Sequence, residues 1–412
     1  MPSPETPPLL PFPDAPVPDG FSPLEDAEAA FTRYERPTPR WRRYLLHLGL
    51  FLITLLTTTL TGVALRAGGL VEIPPYQLLL QPWPAVWEAL RPGLWYSLPF
   101  LGVLTVHEFG HYFTARAYRI RTTLPFFIPF PFGFGTFGAV IRIKDRIFSR
   151  KEFFDVGLAG PLAGFVVAVG VLAYGLTHLP PLEYLFQIHP QYRPYGAEYA
   201  RYVYPVGQEI GTVLARPLLF HLLSAWLADP ARMPHPHELM HYPVLVAGVL
   251  SLFFTALNLL PIGQLDGGHI LYGLLGQRRA SRLSGLFFIA FIFYAGLGLF
   301  TLQTTGKMWL YWSGPYFLYL LAAFWRALPT KRRVVMLAAA VWTTQIVVAS
   351  AWPGLAGNPG WLVFGLLLGR ATGIYHPGAP NERPLSPGRK VLGWLMLVIF
   401  VLCFTPAPFT IQ

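Results

Sequence analysis

His107-Glu108-Phe109-Gly110-His111 is the stretch of this 412-residue chain best equipped for chemistry. On a helix, positions i and i+4 share a face about 6 Å apart, so both imidazoles can reach one metal ion. Glu108 follows the first of them and projects beside it, where a carboxylate can take a proton from a water at the metal. The plainer reading is a set of buried, hydrogen-bonded polar residues serving helix packing or an ion path. Three ionisable groups in one turn of an apolar run are costly, which favours function over packing. A hydrolytic zinc site also needs a third protein ligand and an open position. The single cysteine, Cys403, lies inside an apolar run, so that donor must be His, Asp or Glu.

The segment 258–269, NLLPIGQLDGGH, offers two such donors, Asp266 and His269. Pro261 must break a helix there, and Gly267-Gly268 allow a tight turn. His107 to His111 lie 7 to 11 residues from the inner end of their helix, about 10–16 Å at 1.5 Å per residue. Unwinding after Pro261 would let Asp266 fold back to that depth. Two alternatives stay open at this point. Asp266 could cap a following helix over 267–275, and His269 could be the ligand instead, or orient its neighbour.

A second H-E-x-x-H, His237 to His241, is bracketed by Pro234, Pro236 and Pro243. The helix needed to bring His237 and His241 to one face can hardly form there. The segment also falls in an outer loop, where water is expected to solvate all three groups. Gly157, Gly160 and Gly164 place small residues at helical spacing, which reads as close helix packing between the metal-bearing segments. Leu124 to Ile143, LPFFIPFPFGFGTFGAVIRI, has too many prolines and glycines for a helix and is too apolar for a solvated loop. It reads as a re-entrant hairpin ending in a strand over Phe137–Ile143, with an interfacial loop as the alternative.

The elements that must hold these residues are membrane helices. Charged residues make up 12% of the chain against 53% hydrophobic, and mean hydropathy is +0.44, which excludes a water-soluble fold. The net charge of +11 falls in short loops and reads as topology and contact with the lipid bilayer, with no nucleic acid partner. Apolar runs of about 20 residues occur at 44–66, 93–118, 155–179, 242–264, 284–305, 308–327, 334–352 and 390–409, with a weaker ninth at 360–375. The fold class expected is an all-α polytopic membrane protein of eight or nine transmembrane helices, with a re-entrant β-hairpin beside a zinc site between helices. Residues 1–40, with 11 prolines and seven acidic residues, read as a disordered cytoplasmic tail. Residues 44–409 form the transmembrane domain. Its catalytic core is 93–275, including the hairpin 122–147 and the outer loop 180–241, and the C-terminal helices are 284–409. Arginines before the first run put the N-terminus in the cytoplasm and the active site nearer that face. Arginine outnumbers lysine 26 to 5, as in a GC-rich bacterial genome, which points to a bacterial inner membrane.

Three motifs taken together resemble the site-2 protease family of intramembrane zinc metalloproteases: HEFGH at 107–111, GLAGPLAGF at 157–165 and NLLPIGQLDGGH at 258–269. The LPFFIP…GTFGAVIRIK stretch is similar to the subgroup of ethylene-dependent gravitropism-deficient and yellow-green proteases. The resemblance covers residues 110 to 270 well. It implies one Zn2+ held by His107, His111 and Asp266, Glu108 as catalytic base, and Asn258 as a substrate-holding residue. It implies cleavage of transmembrane protein substrates within the bilayer, as in regulated intramembrane proteolysis. Thr136, Phe137 and Gly138 on the short strand are the candidates for pairing with an extended substrate. Gly263 departs from the family, many members of which carry a second proline there. Two rival functions are a metal-ion or proton transporter and a non-cleaving scaffold that binds membrane proteins. No second broken helix signals a transporter repeat, and no ligand or base is lost as in a scaffold. A homo-oligomer is compatible with the sequence.

Overall fold

A computed structural model describes residues 39–68, 76–205 and 211–411, so the expected tail lies outside the described residues except at its last two positions. The chain divides into two units, Met1–Leu48 and Gly49–Gln412. The described part of the first, residues 39–48, is the opening of helix α1 (Arg40–Arg66). After α1 come α2 (Trp83–Ala117), strands β1 (Phe126–Pro129) and β2 (Thr136–Val140), and α3 (Arg150–Thr177). Short helices α4 (Glu183–Ile188), α5 (Tyr199–Val203) and α6 (Leu218–Leu227) follow, with β3 (Thr212–Leu214) between the last two. Then come α7 (Pro243–Leu259), α8 (Asp266–Leu275), α9 (Gln277–Gly296), α10 (Gly306–Phe324), α11 (Lys331–Ala351), α12 (Trp361–Leu367), α13 (Pro387–Cys403) and β4 (Phe409–Ile411). The protein is thus mostly helical, with two small antiparallel sheets, β1–β2 and β3–β4, among the described residues.

Three helices are long and apolar enough to cross a membrane on length and composition: Trp41–Arg66, Arg150–Thr177 and Lys331–Ala351. They coincide with the runs expected at 44–66, 155–179 and 334–352. The other runs are shortened or interrupted by their own breakers. Helix α2 runs 35 residues with Pro92 and Pro99 inside it. Pro243 opens α7, which stops after 17 residues, just before Pro261. Helix α9 ends at Gly296, where Gly298 takes a positive φ of 90°. The run at 360–375 becomes α12 extended by one π-helical turn to Thr372.

Helix α3 is the centre of the packing, against α2, α7 and α8. It starts at Ser149, whose Oγ accepts from the Glu152 N–H while the Glu152 carboxylate accepts from the Ser149 N–H, a reciprocal cap. Small residues then let it approach its neighbours. A Cβ on Gly110 of α2 would lie 2.6 Å from the Ala159 carbonyl oxygen, and one on Gly175 of α3 2.8 Å from Leu245 of α7.

A β-hairpin forms over this stretch, with its second strand at Thr136–Val140, starting one residue earlier than anticipated and ending three sooner. Phe126 pairs with Val140 and Phe127 with Ala139, with a bulge before Pro129, and a Thr122–Ile143 bridge extends the pairing. Its turn is gripped by helices: the Thr57 hydroxyl donates to the Gly135 carbonyl (2.7 Å) and the Tyr96 hydroxyl to that of Phe134 (3.0 Å). The segment expected to be a plain outer loop folds into short helices, and its β3 pairs with β4 from the C-terminus, whose Phe409 ring stacks on Phe134 of the hairpin turn.

Candidate metal centre

Each residue of the centre is placed by a local rule. His107 and His111 sit on consecutive turns of α2 and both are buried. The third donor arrives through the break that Pro261 imposes. Helix α7 stops at Leu259, and the turn closes with an Ile262 to Leu260 backbone bond of 2.7 Å. Gly263 follows at φ +57°, with its N–H donating to Ser284 Oγ at 2.7 Å. Those two facts exclude proline at this position, since proline has a fixed negative φ and no N–H. The departure at Gly263 therefore belongs to the shape of this turn. Helix α8 begins at Asp266 with Leu265 as its cap, so Asp266 is not spent on capping. A Cβ on Gly267 would lie 2.0 Å from the Leu259 carbonyl oxygen and one on Gly268 2.2 Å from that of Gly263, which is how tightly α8 folds back on the turn.

The result is a compact triangle of donors. His107 Nε2 and His111 Nε2 are 3.1 Å apart, and each lies 3.3 Å from Asp266 Oδ2. Ligands about 2.0–2.2 Å from a tetrahedral ion stand about 3.4 Å from one another, so the triangle has the size of a metal site. His111 Nδ1 donates to the Val156 carbonyl at 2.7 Å, which leaves its Nε2 lone pair facing the carboxylate. One divalent cation between them would satisfy all three groups at once. Two nitrogens and a carboxylate oxygen suit a borderline divalent metal.

Glu108 is buried outside this triangle, its Oε1 4.0 Å from His107 Nε2. It opens on the same cavity of about 240 Å³ as the three donors, which Asn258, Gln264 and His269 also line. From the hairpin side the cavity wall is Ala139, Val140, Ile141 and Ile143. Thr136, Phe137 and Gly138 stand just before that wall. Thr136 is buried and bonded to the Ile128 carbonyl (2.8 Å) and to the Gly138 N–H (2.9 Å), while Phe137 is 64% exposed. The strand therefore meets the centre one step further along than the sequence suggested.

His269 is not part of the donor triangle. Its Nδ1 lies 2.6 Å from His376 Nε2, and its ring stacks on Phe153. Nothing near His376 in the sequence marks it, since its partner is 107 positions away. The glycine stripe on α3 proved more specific than general packing. A Cβ would lie 2.1 Å from His111 Nε2 if added to Gly160, 2.5 Å from His269 Cβ if added to Gly157, and 3.0 Å from His107 Cβ if added to Gly164. The glycines are the floor on which the imidazoles rest.

The second H-E-x-x-H requires a correction. Its residues form a 3-10 turn, Pro236–His241, and Glu238 and His241 are buried rather than solvated. His237 stacks on Tyr204, away from His241.

Fold and centre together define a helical membrane protein with a buried His-His-Asp donor set and a second carboxylate beside it. The pattern of peptidase family M50 matches residues 95–302, half of the chain, and the chain belongs to that family. It is similar to the probable zinc metalloprotease EGY1, chloroplastic, of Oryza sativa subsp. japonica, at 31% identity over 64% of this chain and 42% of that protein. The Arabidopsis thaliana protein of the same name is 30% identical over 58% of this chain and 41% of its own length. EGY2 of Oryza sativa subsp. indica, another probable zinc metalloprotease, is 29% identical over 48% and 32%. The chain thus spans less than half the length of these curated relatives. No solved structure matches it.

Proposed function

We propose that the protein is an intramembrane zinc endopeptidase that hydrolyses peptide bonds in transmembrane segments of membrane-protein substrates. The observation that carries this reading is the His107–His111–Asp266 triangle with Glu108 beside it in one cavity. Those three residues would hold the zinc, which when bound polarises a carbonyl and makes a neighbouring water more acidic. Glu108 takes the proton of the attacking water and passes it to the departing amine, so the same carboxylate serves as base and then as acid. Among the described residues strand β2 is paired on one side, by β1, and its continuation lines the cavity. An extended substrate segment added along its free edge would present its backbone beside Glu108. Asn258, which lines the same cavity, is suited to hold that segment by its amide.

The topology proposed is nine passes, with 1–40 and the arginine-rich loops in the cytoplasm and the hairpin re-entrant. Supporting the hairpin reading, its non-helical backbone is held by Thr57 and Tyr96, as polar backbone within a membrane must be. Supporting an odd count, α13 starts beside the start of α3, where Arg389 pairs with Asp155, and ends beside the outer segment, where β4 joins β3. The 360–375 stretch links the same two levels: Trp361 Nε1 donates to the Pro406 carbonyl, while the Arg370 carbonyl accepts from Arg326. The arginine bias supports a bacterial inner membrane.

The test is Glu108→Gln, which keeps the shape of the side chain but cannot accept a proton. Purified Glu108→Gln should keep its zinc while cleavage of a transmembrane peptide falls by at least ~10²-fold. Cleavage at the wild-type rate with full zinc would end the assignment of Glu108. Ion flux in sealed vesicles without any peptidase activity would favour the transporter.

A further inference from the structure

The outer segment holds a second convergence of donors that the hydrolytic centre does not use. His189, Glu238 and His241 come from the end of α4 and from the 3-10 turn before α7. His241 Nε2 lies 3.2 Å from Glu238 Oε2 and 2.9 Å from His189 Nε2, and His189 Nε2 lies 3.6 Å from the same carboxylate oxygen. These spacings match the inner triangle almost edge for edge, and both fit ligands around a tetrahedral ion.

The partners of these groups argue for a cation. His241 Nδ1 donates to the Arg66 carbonyl at 2.7 Å, so its Nε2 carries a lone pair towards Glu238. The Tyr204 hydroxyl donates to Glu238 Oε1 and orients the carboxylate. Glu238 is 0% exposed, and its Oε2 has no hydrogen-bond partner among the described residues. An imidazolium at His241 could pair with Glu238, but it would then press its Nε2–H against the second imidazole 2.9 Å away. One divalent ion satisfies all three at once. His189 is the partly exposed member, its side chain 25% accessible, and it is the side from which a metal would enter.

We infer that His189, Glu238 and His241 bind a second zinc ion, at the end of α7 opposite to the hydrolytic centre. Its role is structural. It joins the end of α4 to the turn that launches α7, and through His241 to the last residue of α1, so that the short elements of the outer segment are cross-linked where the sequence alone suggested a loose loop.

The experiment counts zinc per chain in the purified full-length protein after equilibration with buffered zinc. Wild type should hold two ions. His189→Gln and Glu238→Gln should each hold one, and that one should vanish when His111→Ala is added. His189→Gln leaves the Tyr204–Glu238 and His241–Arg66 bonds in place, and retention of the inner ion reports that the chain is folded. Zinc content equal to wild type in both His189→Gln and Glu238→Gln would overturn the proposal. The two centres are separable: if His111→Ala alone leaves the count at two while His189→Gln lowers it, the reading of the hydrolytic centre fails and this one stands.

Discussion

Replacing Gly160 by alanine tests whether the floor of the metal centre sets its geometry. The new Cβ would lie 2.1 Å from His111 Nε2, whereas ordinary contact begins at 3.4 Å, so about 1.3 Å of displacement is required. The imidazole cannot swing away freely, because its Nδ1 is bonded to the Val156 carbonyl and the ring is buried. Helix α3 packs so closely here that a Cβ on the neighbouring Gly110 would also lie 2.6 Å from the Ala159 carbonyl oxygen and 3.0 Å from Gly160 Cα. Metal–ligand distances tolerate about 0.2 Å. Losing that alignment should weaken zinc binding by at least the ~10- to 100-fold typical of disturbing a ligand's support, about 1.4–2.7 kcal/mol. Cleavage at limiting zinc should fall by ~10²-fold or more. Gly164→Ala, where the contact is 3.0 Å to His107 Cβ, should show a smaller loss, and Gly170→Ala, with open space around its Cβ, none. Zinc competition with a chromogenic chelator, alongside cleavage of a transmembrane peptide, would rank the three. Wild-type zinc affinity and cleavage in Gly160→Ala would refute the reasoning.

Asp266→Ala should lose zinc rather than chemistry alone, so raising free zinc should restore part of the cleavage, unlike in Glu108→Gln; metal titration of activity separates the two. Gly263→Pro should destabilise the chain by about 3 kcal/mol, combining a forced change of φ with a lost buried hydrogen bond to Ser284, and thermal unfolding in detergent would register it. The native Cys403 is buried, so single cysteines can be introduced against a quiet background. A membrane-impermeant thiol reagent added to sealed cells should label cysteines placed in 185–205 or 211–235 and miss those in 144–151 and 278–282; the reverse pattern would invert the proposed orientation.

Much of the candidate centre was legible in the chain because its rules are local. A helix repeats every 3.6 residues, so HEFGH announces two histidines on one face with a carboxylate beside them. Pro261 and the Gly267-Gly268 pair announce a break and a tight return, and Asp266 sits where both rules meet. Asp266 and His269 remained alternatives until packing separated them: Asp266 turns to His107 and His111, while His269 is taken up by His376 and Phe153. The hairpin was visible as a conflict between apolarity and helix breakers. Its exact register was not, since that depends on pairing with Phe126 and Phe127 and on Thr57 and Tyr96 holding the turn.

The outer segment shows the limit most clearly. The rule that recommends HEFGH recommends HELMH equally, and the prolines around HELMH were rightly read as forbidding a helix. They leave a 3-10 turn with three residues per turn, so Glu238 and His241, rather than His237 and His241, share a face. What that face meets is His189, 52 positions away, and the Arg66 carbonyl, 175 positions away. The amino-acid sequence by itself determined the membrane class, the broken helices and the pair of histidines on one helix face, because periodicity and backbone restriction act over a few residues. The tertiary structure alone decided which distant side chains share a buried space, since burial removes water as a partner and leaves each polar group only what packing brings to it.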